Sequence, residues 1–155
     1  MDLKSIVASA AIVAASAQLA HAVEDDARAA QVMWNAWLCA VYAELKGDAD
    51  EQGRLFTLGY SKGKQFVDAT VAGTITPEEG RTIVPMVVGM LMAGPSPEFV
   101  LGRIFESAVG QAFDDVTAED ANGMPLAPAD YVVDDELRAL IATNKYMRSN
   151  CELIR

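Results

Sequence analysis

The stretch Ala30-Gln-Val-Met33-Trp34-Asn-Ala-Trp37-Leu38-Cys39-Ala-Val41-Tyr-Ala-Glu-Leu45 decides the fold. Ala30, Met33, Trp34, Trp37, Leu38, Val41 and Leu45 recur at steps of three and four, the spacing that lines one face of a helix. This predicts a first helix over 26–46, stopped by Gly47-Asp48, with Cys39 on the flank of the Trp34/Trp37 stripe.

Toward the C-terminus the same pattern returns. Asp48 or Asp50 can cap a second helix over 50–72, with a stripe of Leu55, Phe56, Gly59, Gly63, Phe66, Val67 and Thr70. Thr76-Pro77-Glu78-Glu79 then has Thr at the cap, Pro at the first helical position and Glu three residues after the cap, which starts a third helix over 77–93. Pro85 lies inside it and should kink it, because proline lacks the N–H that the helix needs. The run Ile83–Ala93, with Met86, Met90 and Met92, reads as its buried portion. Ser96-Pro97-Glu98 opens a fourth helix over 97–116 that should bury Leu101, Ile104, Phe105, Ala108, Phe113 and Val116. Asn122-Gly123, Pro125 and Pro128 mark 117–133 as an irregular surface loop. A fifth helix over 134–148 starts acidic, should bury Leu137, Leu140 and Ile141, and delivers Cys151 just past its end. No segment alternates at period two with β-branched residues. The expectation is an all-α, single compact bundle of about five helices.

Toward the N-terminus, Lys4 precedes an uncharged Ala/Val/Ile run from Ile6 to Ala17. That run makes only ~18 Å of helix, short of a ~30 Å hydrocarbon core. Ala20-His21-Ala22 supplies the small-x-small pattern of a signal peptidase site. Residues 1–22 therefore read as a secretory signal peptide and 23–155 as the helical domain, with an ordinary Ala-rich helix or an uncleaved anchor as the other readings. Cleavage would remove His21, the only histidine. With it go the Ser-His-Asp and Cys-His arrangements and the His-containing zinc sites. Two cysteines remain, Cys39 and Cys151. In an oxidising compartment an even pair reads as a disulfide that staples the last helix and tail across the first.

Composition narrows the function further. Across 155 residues, 12 Lys and Arg stand against 22 Asp and Glu, a net charge of −10, which repels nucleic-acid backbones and anionic lipid. A 52% hydrophobic composition excludes a disordered chain. Gly59-Tyr60-Ser61-Lys62-Gly63 places two glycines on a helical stripe, where each costs ~1 kcal/mol relative to Ala, so close helix packing is expected there. The functional counterpart is a partner groove with Gly59 and Gly63 as floor and Tyr60 and Lys62 at the rim. Asp48-Ala-Asp50 and Asp120-Ala-Asn122 resemble starts of calcium loops, but the twelfth positions are Gly59 and Ala129 where a bidentate Glu is required, so capping and turn chemistry explain them. Glu98, Arg103 and Glu106 could form a carboxylate–guanidinium cluster. The two carboxylates lie ~12 Å apart along a helix, which favours a plain Arg103–Glu106 surface pair. No catalytic, cofactor-binding or metal-binding residue is assigned.

Trp37-Leu38-Cys39, Leu58-Gly59-Tyr60-x-x-Gly63, the late Cys151 and the signal peptide together resemble small exported helical disulfide proteins of Gram-negative bacteria. One such family is the Rap1a/Tai immunity proteins, which bind and block a cell-wall amidase. Another is the acid-stress periplasmic chaperones of the HdeA type. The resemblance carries over to Cys39 and Cys151 alone. Residues and resemblance together predict a non-enzymatic periplasmic or secreted protein that binds a protein partner in the envelope, inhibitor-like. An acid-activated chaperone is the alternative, and a carboxylate-based envelope hydrolase the further one. No cofactor, no nucleic acid and no stable membrane insertion after signal cleavage are expected.

Overall fold

Alanine dominates the inner surface of the first helix, and the architecture follows from that. The computed structural model describes residues 3–155, with side chains described from Glu24 onward. The helices are α1 (Leu3–Leu45), α2 (Ala49–Val71), α3 (Pro77–Thr82), α4 (Met86–Met90), α5 (Pro97–Thr117) and α6 (Asp135–Arg148), with short 3-10 turns at Pro128–Asp130 and Cys151–Leu153. The expected signal peptide over 1–22, with His21, falls on residues whose side chains lie outside the described ones. Among the described residues no helix is long and apolar enough to cross a membrane.

The helix α1 is the axis of the bundle. Between Glu24 and Leu45 only Asp25, Arg28, Gln31, Asn35 and Glu44 are exposed. The stripe of Met33, Trp34 and Trp37 packs with Phe66, Val67, Val84, Val88, Leu101 and Ile104 in one half of the core. The opposite flank of α1, with Ala36, Cys39, Ala40, Tyr42 and Ala43, packs with Leu55, Ala112, Val116, Ala142 and Tyr146 in the other half. A helix apolar nearly all round is a buried helix. The small alanines let α2, α5 and α6 come close on separate sides. Gly47 ends α1 with φ +84, its N–H bonding Glu44 O at 2.9 Å while Asp48 N–H bonds Ala43 O at 2.8 Å, the two-bond closure that glycine allows without strain.

The starts of α3 and α5 match local expectation, whereas α1 begins at Leu3 and not near 26. Thr76 accepts from the Glu79 N–H while the Glu79 side chain accepts from the Thr76 N–H, a complete capping box, and Ser96 accepts from the Phe99 N–H. Further expectations need correction. The segment 77–93 does not kink but breaks: Pro85 and its effect on Val84 interrupt the helix between Thr82 and Met86, and the freed Ile83 carbonyl accepts from Gln31 Nε2 at 2.7 Å. The run Ile83–Ala93 is not wholly buried either. Val84 and Val88 face the core, whereas Met86 and Met90 are 81% and 75% exposed. On α6 the buried face is Ala142 and Tyr146, leaving Ile141 half-buried and Leu137 and Leu140 exposed. The small Ala142 permits close approach to α1, and the tether at Cys151 fixes the rotation of the helix. Phe56, Thr70 and Phe113 likewise sit outside the core.

The disulfide joins Cys39 to Cys151 with Cα atoms 5.6 Å apart, closing a sequence separation of 112. Both cysteines are buried in the same half of the core as Tyr146. Such closure is worth ~4–5 kcal/mol on the chain-entropy account.

The two glycines on α2 lie against side chains of α1 and α5. A methyl group at Gly59 would sit 2.5 Å from Trp37 Cδ1 and 2.6 Å from its Nε1. At Gly63 it would meet Leu101 Cδ2 at 2.6 Å and Met33 Sδ at 2.7 Å. The indole is a rigid, buried ring, whereas Leu101 presents a terminal methyl group and Met33 the thioether of a flexible, unbranched chain. Overpacking costs ~1–3 kcal/mol, against a gain of ~1 kcal/mol from helix propensity. Gly59→Ala should therefore destabilise by about 1–2 kcal/mol net, while Gly63→Ala stays near neutral. Urea unfolding followed by tryptophan fluorescence checks the order of the two; equal midpoints would show that the indole yields as easily as the aliphatic tips.

Candidate functional site

The helix α2 carries the residues that sequence reasoning grouped as a partner groove, and the structure separates them. Gly59 and Gly63 are buried beneath α1, covered by Trp37 and by Met33 with Leu101, so their backbone is not the floor of an open groove. Tyr60 and Lys62 lie two positions apart on the helix, which turns them ~160° away from each other. Lys62 Nζ donates to Gln65 Oε1 at 3.2 Å, and Gln65 Nε2 donates to Asp26 Oδ1 at 2.9 Å, a polar link to the N-terminal side of α1. Tyr60 lies on the other flank with Phe56, one turn earlier.

That other flank is built from the core outward. Trp37 Nε1 donates to the Phe56 carbonyl at 3.3 Å, fixing the indole against α2. The Phe105 ring stands edge-on to Trp37 at 5.5 Å between centroids and edge-on to Phe56 at 5.2 Å. Three helices thus contribute one ring each to a continuous stack, whose outermost member Phe56 is 42% exposed beside Tyr60 at 41%. Sequence reasoning placed Phe56 in the core. It missed the stack because Phe105 and Phe56 are far apart in the chain, and only the antiparallel packing of α2 on α5 brings them together.

On α5, Glu98, Arg103 and Glu106 do not form a cluster. Arg103 instead turns back to donate to the Ala93 carbonyl at 2.5 Å and the Leu91 carbonyl at 3.4 Å, satisfying the chain after α4. The side chains of Phe99, Arg103 and Glu106 border an open, shallow surface. Asp48 accepts from the Glu51 N–H, and Asp120 accepts from the Asn122 and Met124 N–H groups, so capping and turn chemistry occupy the two apparent calcium loops. Backbone hydrogen bonds pull the Asp120 carboxyl below its ordinary range.

Around the disulfide lies a polar clamp that sequence reasoning did not identify. Arg54 forms a two-pronged bond to Glu51 at 2.6 and 2.7 Å and also donates to the Ile154 carbonyl at 2.9 Å, tying the tail to α2. The Tyr146 hydroxyl donates to Glu51 Oε1 at 2.5 Å, and Lys46 sits over the Tyr146 ring at 4.5 Å. The signal available in the sequence was Glu51 and Arg54 three apart on a helix start. Deeper in, the Tyr42 hydroxyl donates to Asp115 Oδ2, and burial followed by that bond pushes the phenol well above its usual range. No family model, no curated protein and no solved structure matches the chain.

The Arg54 guanidinium, aided by Tyr146, lowers the Glu51 carboxyl to about 2. A carboxyl with a lowered folded-state value stabilises the fold fully above its unfolded value of 4.5, and this contribution is lost as pH falls through about 2. Glu51→Gln should cost about 1–2 kcal/mol at pH 7. It should also flatten the loss of stability between pH 4.5 and pH 2. Urea midpoints across that range test this; parallel curves for the two proteins would show that Glu51 carries no acid-sensitive stability.

Proposed function

We propose that this chain is an exported, non-enzymatic helical protein that binds a protein partner in the envelope, in the manner of an immunity-type inhibitor. One observation carries this reading: Phe56 and Tyr60 stand partly exposed on a rigid α2, with Phe56 backed by Phe105 and the buried Trp37. Aromatic side chains held in place by a packed core lose little entropy on binding, and such anchors dominate protein–protein interfaces. The Cys39–Cys151 disulfide supports an oxidising destination, periplasmic or secreted. The resemblance to exported helical disulfide proteins points the same way.

The acid-activated chaperone is the second reading, favoured by Met86 and Met90, whose thioethers are largely exposed and suit adaptable contacts. Against it stands the disulfide, which ties the C-terminus to α1 whatever the pH. The carboxylate-hydrolase reading finds less support. Asp115 is bonded to Tyr42, and Glu119 faces Lys145 at 3.7 Å.

The test is affinity capture from envelope extract at pH 7 with the wild-type chain and with Phe56→Ala/Tyr60→Ala, each checked for fold by circular dichroism. A partner held by the wild type and weakened roughly tenfold or more by the double variant is expected. Equal capture by both would remove the aromatic face from the account. Suppression of client aggregation only at pH 2–3, lost in a Met86→Ser/Met90→Ser variant, would favour the chaperone.

A further inference from the structure

The end of α5, the turn that follows it and α6 surround a cavity of about 310 Å³, distinct from the aromatic face. The turn is held in place by backbone bonds from Leu126 N–H to Ala118 O at 2.7 Å and from Val132 N–H to Thr117 O at 2.9 Å. Leu126, Val132 and Ile141 form its apolar wall. The volume lies at the lower end of the ~300–1,000 Å³ range of small-molecule sites.

The charged groups around this wall are not equivalent. Asp115 takes the Tyr42 hydroxyl, Asp120 takes the Asn122 and Met124 amides, and Glu119 pairs with Lys145. Asp115 and Asp120 therefore already accept hydrogen bonds, whereas Glu119 has the Lys145 ammonium at 3.7 Å. Asn144 and Arg148 line the same cavity one turn apart on α6, both at exposed positions. Among the described residues, neither side chain has a hydrogen-bond or ion-pair partner within the chain. What is left over is donor capacity: a planar guanidinium and an amide, beside an apolar wall. A guanidinium matches a carboxylate with two parallel hydrogen bonds.

We infer that this cavity binds a small amphiphilic monocarboxylate, its carboxylate held by Arg148 and Asn144 and its apolar chain laid against Leu126, Val132 and Ile141. An amine-headed ligand would have to displace Lys145 from Glu119 or share Asp115 and Asp120 with their present donors. The net charge of −10 opposes an anion at long range and the three lining carboxylates oppose it locally, so the affinity resides in the direct contacts with Arg148 and Asn144 and is measured at moderate salt, where distant charges are screened. The inference is independent of the aromatic face on α2.

The probes are hexanoate, hexylamine and hexanol, which share one apolar chain and differ in the head group. Each is titrated at pH 7 into the 15N-labelled full chain, and amide shifts are followed by NMR. Hexanoate should shift amides over 119–126 and 141–148 saturably, and bind at least several-fold tighter than either of the others. Arg148→Gln should weaken hexanoate about tenfold and bring it level with hexanol, with Arg148→Lys between. Equal or tighter binding of hexylamine or hexanol, an unchanged affinity in folded Arg148→Gln, or no saturable shift at these residues would overturn the inference. Should Arg148→Gln fail to fold, the comparison of the three head groups on the wild-type chain still decides.

Discussion

Between Ala27 and Ala43, α1 meets other helices on nearly every side, and this burial sets the terms for the remaining elements. An axial helix needs neighbours that come close without voids, because interiors are packed as densely as organic crystals. The alanines of α1 provide the clearance on one side and Gly59 with Gly63 provide it on another. Trp37 then fills the space above Gly59 and bonds the Phe56 carbonyl, so that the largest buried side chain also fixes the register of α2. Even Tyr42 conforms to this arrangement, since its buried hydroxyl is paired with Asp115 of α5 rather than left unsatisfied.

What the sequence made legible was local. The Thr76 and Ser96 caps, the Gly47 stop and the Met33/Trp34/Trp37 stripe depend on residues within a turn or two of one another. The helical class and the Cys39–Cys151 pairing also follow from the sequence, the latter because only two cysteines exist. Which face of a helix is buried was legible only where large residues marked it. On α1 the second buried face consists of alanines with Cys39 and Tyr42, and periodicity of large residues passes over it. On α6 the most hydrophobic face, Leu137 and Leu140, stays outside because the tether at Cys151 and the bond of Tyr146 to Glu51 choose a different rotation. Arg103 was likewise drawn to the Leu91 and Ala93 carbonyls that the end of α4 leaves open, a demand that exists only after folding. Of the proposed aromatic face, the sequence marked Tyr60 as a groove rim and Phe56 as core, and Phe56 is half-exposed beside Phe105 of another helix.

The distribution of constraints bears on the binding proposed for the aromatic face. The disulfide, the Glu51–Arg54–Tyr146 clamp and Lys46 all gather at the end of α1 where the C-terminus returns. The opposite end, with the broken α3 and α4, has neither covalent closure nor a comparable ionic clamp among the described residues. The aromatic stack lies between them, supported on its inner side by Trp37. A face held this way is preorganised, and preorganisation is what lets a small surface bind with useful affinity.

The central claim, that α1 is the axis on which the other helices depend, is tested most directly by native-state hydrogen exchange. The amides of Met33–Ala43 should exchange only through global unfolding, with opening free energies equal to the stability measured by urea, while those of α3 and α4 open at lower free energy. Amides in that stretch of α1 opening well below the global value, with α2 and α5 still protected, would contradict the account.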